Sequence, residues 1–246
     1  DDRGYLWTAG MDADLAVRLN SARYADGNLF VATVSGDLAI TGPLQRSPTL
    51  SGNLLVERRD VVALRSLNVA GRMHTEVRVG ATPSLEIEAD SNLLPLIKTE
   101  QSGDTLRVWM EGSVKSDNPI RVRYTVAALD QVTQAGSGRT NITGLNGGSF
   151  TLVATGSGRT ELSGRVERLN AQLTGSGGVS ATGLAVGDAN VKLTGSGSMV
   201  LGTVSGRSLS ANLHGSGQIE AGGTVEKLNA NVHGSGGANF ARLSSQ

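Results

Sequence analysis

The chain has 246 residues, enough for one large domain or two small ones, and its 22 Lys and Arg are balanced by 22 Asp and Glu. That balance excludes the overall field that recruits nucleic acid or an anionic membrane surface. With no cysteine, disulfide scaffolds, thiolate metal sites and cysteine nucleophiles are excluded together.

Taken in order, the first sixty residues alternate apolar and polar side chains in "ADLAVRLN", "GDLAIT" and "GNLLVER", with turns expected at Asp26-Gly27 and Gly42-Pro43. From 61 to 134 the alternation continues in "HTEVRVG", "PSLEIEAD", "DTLRVWMEG" and "IRVRYTVAALD", separated by Gly, Pro and Asn-Pro breaks. "SNLLPLIKTE" (91–100) is the place for one short helical turn. No apolar run reaches the ~18 residues of a membrane helix. With Asp1 first and no charged-then-apolar opening, the sequence reads as a processed or excised piece that lacks its targeting segment.

Glycine then changes the composition, with 24 of the 34 glycines in 135–246. Each interior Gly costs a helix ~1 kcal/mol against Ala, so strands with Gly-marked corners remain. Gly-Ser-Gly recurs six times, its first Gly at 136, 156, 175, 195, 215 and 234, in steps of 20, 19, 20, 20 and 19. Before the triplets, "LNAQLT", "ANVKLT", "LSANLH" and "LNANVH" alternate with period two; after them Thr140/Ile142, Thr160/Leu162, Val179/Ala181, Met199/Leu201 and Ile219/Ala221 do the same. Each repeat reads as strand, Gly corner, strand, turn.

One such strand pair cannot bury its apolar face alone, so successive repeats must stack. Stacking in register gives an all-β fold, a parallel β-helix of about six Gly-Ser-Gly coils, with like side chains ~4.8 Å apart on neighbouring coils. The glycines Gly136, Gly138, Gly156, Gly158, Gly175, Gly177, Gly195, Gly197, Gly215, Gly217, Gly234 and Gly236 are expected to be structural corners, where the chain turns and neighbouring backbones approach closely.

The stretch 61–246 resembles the auto-transporter adhesin head GIN domain, on "VRVGATPSLEIEADSNLLPLIKTE", "GDTLRV", "NPIRVRYTVAALDQVTQAGSG" and the recurring "GSG" coils. The resemblance implies a right-handed β-helix exported to the periplasm, outer membrane or cell surface, with no catalytic residues to carry over. The first sixty residues are similar to the C-terminal region of the translocation and assembly module TamB, through Gly36-Asp37-Leu38, Thr41-Gly42, Pro48 and Leu50-Ser51-Gly52. That second resemblance implies an apolar-lined β-groove engaged in outer-membrane assembly or lipid transfer. Two units are therefore expected, a β-stranded segment 1–60 and a head domain 61–246.

Few residues invite chemistry. His214 and His233 fall in one column of adjacent coils, but three protein ligands are the usual minimum for a catalytic zinc, and Asn212, Asn231 and the distant His74 supply none. They read as a solvent-facing pair. Ser216 and Ser235 follow the two histidines closely, yet no carboxylate is placed to orient either imidazole, so the six triplet serines read as a small-residue corner. Glu161 and Glu220 share a column, as do Glu167 and Glu226, each pair three coils or ~14 Å apart, farther than paired glycosidase carboxylates stand. Asn170, Asn190, Ser210 and Asn229 form an outer polar column, and Thr155, Thr174 and Thr194 another. The expectation is a non-catalytic, cofactor-free envelope protein. Its ligand would be a protein or a glycan, and the exposed ends of its coil stack would permit oligomers. A polysaccharide-active enzyme is the remote alternative.

Overall fold

Period-two alternation gives strands, and a chain of strands with few sharp reversals must wind. In the computed structural model, which describes residues 15–26, 30–41, 49–52, 54–112 and 118–245, this is what the chain does. Strands β1 (Leu15–Asp26), β2 (Phe30–Thr41) and β3 (Thr49–Gly52) form a small antiparallel sheet in that order. The turns expected at Asp26-Gly27 and Gly42-Pro43 fall on 27–29 and 42–48, outside the described residues.

The rest is a β-solenoid of parallel stacked coils. Its regular body is β12 (Arg139–Gly156), β13 (Arg159–Gly175), β14 (Gly178–Gly195), β15 (Ser198–Gly215), β16 (Gln218–His233) and β17 (Gly237–Ser245), each laid parallel on the one before. A Gly-Ser-Gly triplet precedes every one of these strands. The sequence pattern suggests two faces per coil, whereas the structure has three. Near its middle each long strand shifts register, and a short third stretch turns Leu145, Val166, Val186, Val204 and Val225 inward.

The leading coils are not stacked in chain order. Strands β5 (Ser66–Ala70) and β6 (Met73–Val79) make one coil, and β9 (Thr105–Met110) and β10 (Ile120–Val126) make another on its outer side. Strand β11 (Gln131–Gly136) returns to the inner side of β5 and starts the regular stack. Antiparallel strands close the outer end: β8 (Ile97–Ser102) on β9, and β7 (Ser84–Asp90) on β10 with β4 (Leu54–Arg59) beyond it. A parallel stack exposes an unpaired edge at each end, and this cap covers one of them.

The cap is pinned by a buried cation. Arg59 Nε pairs with Glu57 at 2.8 Å, while its Nη1 donates to Ile97 O at 2.7 Å and Thr99 Oγ1 at 3.0 Å. Glu57 is 4% exposed, so this pair owes its value to fixing geometry more than to net attraction. It holds the 3-10 turn Leu94–Leu96, the only helical element among the described residues and the one expected within 91–100. At the opposite end β17 pairs only with Gln218–Val225, and Leu228 and Val232 of β16 are 40% and 43% exposed.

The core consists of aliphatic columns. Leu173, Leu193 and Leu213 stack in successive coils and are buried, as do Ala171, Val191 and Ala211. Polar exceptions lie under the first corner: Thr75, Thr140 and Thr160 are buried in one column, and Gln134, 3% exposed, donates to Gly138 O at 2.8 Å and accepts from the Thr160 hydroxyl. Tyr124 is buried, its hydroxyl donating to Leu64 O at 3.3 Å, and burial pushes its pKa up to about 12.

Candidate functional site: the corner groove

The corner begins with backbone geometry. The first Gly of each triplet has φ between +107° and +125°, a region that side-chain-bearing residues avoid. A Cβ on Gly195 would overlap Gly175 O, and one on Gly217 would lie 2.5 Å from Gly197 O and 2.7 Å from Leu193 Cδ2. The freed space is used for hydrogen bonds between coils. Gly136 O accepts from the amides of Ser157 and Gly158 at 3.2 and 3.0 Å, and Gly156, Gly175 and Gly195 accept the same pair from the coil above at 3.0 Å each. No corner carbonyl in this run is left unpaired, which is what close-packed backbone requires.

The triplet serines stand outside this ladder as an exposed column. A shallow groove of about 330 Å³ runs along it, lined by Ser137, Ser157, Ser176 and Ser196 on one side and by His74, Arg139 and Arg159 on the other. The second side is itself a column. Arg121 of β10 lies beside His74 of β6, His74 beside Arg139 of β12, and Arg139 beside Arg159 of β13; Gly178 and Ser198 continue it. Arg121 is held by Glu88 at 2.7 Å, and Arg123 donates to the same carboxylate at 2.8 Å. Burial alone would raise the Glu88 pKa, but the two guanidinium hydrogen bonds hold it below the ordinary carboxylate value. Arg139 and Arg159 are exposed, and neither has an ion pair or side-chain hydrogen bond among the described residues.

Sequence reasoning singles out the glycines and serines of this groove but not its cations. One signal was available: "AGRMHT" (70–75) parallels "AGSGRT" (135–140), so Gly71-Arg72-Met73 is the corner of the preceding coil. The structure agrees, since a Cβ on Gly136 would meet Gly71 O at 2.8 Å and one on Gly138 would meet Met73 N at 2.9 Å. Arg72 thus heads the serine column.

The other candidate residues are placed as follows. His214 and His233 stack face to face, ring centroids 4.9 Å apart, on the exposed side of the coils. No group of three His, Asp or Glu side chains is assembled among the described residues. No hydrogen bond joins either imidazole to Ser216, Ser235 or a carboxylate among them. Glu161 and Glu220 are three coils apart, with Ser180 and Val200 between them. The asparagine column 170, 190, 229 with Ser210 and the threonine column 155, 174, 194 are in the expected register, and Asn231 Nδ2 donates to Asn212 Oδ1 at 3.0 Å. A second cleft, about 430 Å³, lies on the third face, but there Asp188 already accepts from the Arg207 and Ser208 amides at 2.8 and 2.9 Å.

Similar folds are known. A putative adhesin from Bacteroides fragilis aligns over 79% of this chain and 97% of its own at 16% identity, TM-score 0.59. A putative lipid binding protein from Parabacteroides distasonis aligns over the same shares at 19% identity, TM-score 0.60. At such identities the likeness is one of fold. No curated protein matches the chain. The model of the family described as "putative auto-transporter adhesin, head GIN domain" matches residues 63–203 and 184–246. It takes in the capped leading coils as well as every Gly-Ser-Gly corner. The chain belongs to that family.

Proposed function

We propose that this chain is a non-catalytic, ligand-holding head at the bacterial cell envelope or surface, and that the corner groove is where its ligand lies. The family supports an adhesive role. The observation that carries the reading is the groove itself: a rigid ladder of exposed hydroxyls and cations along the solenoid axis, with its carboxylates dispersed over separate coils. Such a site holds an extended partner but assembles no acid and base around a bond. The twelve corner glycines serve it indirectly, by letting backbones pack closely enough for the serines to form one column. No helix among the described residues is long and apolar enough to cross a membrane. The exposed end of the stack at Leu228 and Val232 is the surface through which copies would associate.

The rival is a lipid-transfer or assembly role like that of TamB, favoured by the name of the Parabacteroides distasonis neighbour. A screen of the full chain against immobilised glycans, envelope proteins and lipid vesicles separates the two. Saturable binding to a glycan or protein, with the ligand recovered intact, is expected. Binding to lipid alone supports the rival, and cleavage of a bound polysaccharide overturns the non-catalytic reading.

A further inference from the structure

We infer that the groove's ligand is an acidic polysaccharide, a linear glycan bearing carboxylate or sulfate groups; this rests on the reading of the groove as the ligand site. The first ground is unbalanced charge. Arg139 and Arg159 occupy directly opposed positions on neighbouring parallel strands, His74 extends the column, and Arg72 heads the adjacent serine column. Like charges opposed in this way destabilise a sheet. Elsewhere in the leading coils most exposed arginines are matched, Arg58 by Glu86, Arg65 by Asp130 and Arg107 by Glu100, and the unmatched Arg78 lies between Thr125 and Thr143 rather than beside another cation. Among the described residues, only along the groove do two guanidinium groups stand directly opposed without an ion pair, and an anionic ligand is what removes that cost. Arg guanidinium is also the side chain best shaped to grip a carboxylate or sulfate through paired N–H donors.

The second ground is periodicity. Four successive coils each present one triplet serine to the groove, Ser137, Ser157, Ser176 and Ser196, at intervals of one strand spacing, ~4.8 Å. Hydroxyls repeated along an axis suit a linear polymer that itself repeats hydroxyl groups, and not a single small anion. The third ground is what the groove lacks. Among the described residues the large exposed apolar side chains are Val56, Val62, Leu228 and Val232, none of which lines the groove, so nothing there enters a bilayer. The aromatics of the repeats, Phe150 and Phe240, pack into or against the core, so no Phe, Tyr or Trp lines the groove for nucleic-acid bases to stack on.

The test uses the full chain and three probes: polygalacturonate, its fully methyl-esterified form with the charges removed, and phosphatidylglycerol vesicles. The expected result is binding to polygalacturonate that weakens as salt is added, with no binding to the ester. The double variant Arg139→Gln/Arg159→Gln should bind about tenfold more weakly, and Arg139→Glu/Arg159→Glu should not bind detectably. Arg165→Gln/Arg207→Gln, on the third face, should bind within about twofold of the parent. All four arginines are exposed, and unchanged circular dichroism would confirm that every variant folds. Equal binding of acid and ester, an unchanged affinity in the Arg139/Arg159 variants, or binding to vesicles alone would overturn the inference. If polygalacturonate fails while the chain still captures another glycan or envelope protein, this inference falls and the adhesive reading stands. If polygalacturonate binds and is shortened, the ligand class stands and the non-catalytic reading falls.

Discussion

Replacing Gly195 with Ala should be among the most damaging single-methyl changes available to this chain. Gly195 has φ +118°, and the added Cβ would overlap Gly175 O and lie 3.1 Å from the carbonyl carbon behind it. Because the obstacle is backbone of the coil below, no side-chain rotation relieves it. Holding Ala at that φ costs ~1–3 kcal/mol. Pushing the coils apart also weakens the two hydrogen bonds that Gly175 O accepts from Ser196 and Gly197, both 3.0 Å, at about 1 kcal/mol each. The total is roughly 3–5 kcal/mol, a shift of more than about 1 M in the urea midpoint. Two nearby changes are the controls. Ser196→Ala removes an exposed hydroxyl and should stay within about 0.5 kcal/mol of neutral. Gly178→Ala meets nothing closer than Ser198 Oγ at 3.5 Å and has no positive φ, so in strand β14 it should be neutral or stabilising by up to ~1 kcal/mol. Urea unfolding of the three full-length variants, followed by circular dichroism, makes the comparison. A Gly195→Ala midpoint equal to that of Gly178→Ala would refute the claim that corner glycines are set by the close approach of neighbouring coils.

Register is tested by a neighbouring pair: Leu193→Asn, at a fully buried position between Leu173 and Leu213, should cost about 3–5 kcal/mol, and Lys192→Asn, on the outer face, should be within about 0.5 kcal/mol of neutral, again by urea midpoint. Tyr124 predicts an alkaline limit. Its folded pKa of about 12 lies above the ordinary 10, so its contribution is complete below pH 10 and is lost as pH rises from there towards 12; a pH titration of the urea midpoint should show that fall, and Tyr124→Phe should remove it. Glu88 acts with the opposite sign. Its carboxyl is held below 4.5, so stability present above that pH should be lost as pH falls past it, and Glu88→Gln should flatten the acid limb. The division at residue 60 is a proposal whose test is a pair of fragments. Both 61–246 and 54–246 should fold, the shorter melting lower because it lacks the β4 ladder on β7 and the Arg59 contacts with Ile97, Thr99 and Leu94; a disordered 61–246 would move the boundary upstream.

What the sequence makes legible is whatever repeats. A one-residue slip would turn Leu193 out and Lys192 in, so alternation in "ANVKLT" settles both the face and the register, and the columns through His214 and His233 follow from it. The third face is harder to see. Leu145, Val166 and Val204 are single inward residues set among Gly, Ser and Arg, with too few alternations to declare a strand. The leading coils hide their order for a different reason. Strands β9 and β10 lie outside β5 and β6 although they follow them in the chain, and local pattern carries no information about which side of a stack a later strand joins. That is why the groove's cations escape notice. Arg139 and Arg159 are adjacent through the repeated "GSGRT" of 136–140 and 156–160, but Arg121 and His74 join them only once β10, β6 and β12 are seen side by side, although the likeness of "AGRMHT" to "AGSGRT" gives part of the answer. Gln134 is similarly opaque, because its polar side chain stands where the next coil has Ala154 and its partners come from the corner, Gly138 O, and from strand β13, Thr160.

The central claim is that every step of nineteen or twenty residues in the second half of the chain is one strand spacing along a single axis, with the triplet serines in one straight column. Because the chain contains no cysteine, a pair of spin labels can be attached at chosen serines without background. With one label fixed at Ser137→Cys, the second is moved to Ser196→Cys, Ser216→Cys and Ser235→Cys, and the distances are measured by pulsed electron resonance. The account predicts narrow distributions that lengthen by about one strand spacing, ~4.8 Å, at each move. Distances that fail to rise in order, or that spread so broadly that the three pairs overlap, would contradict the stacked corner and with it the groove built upon it.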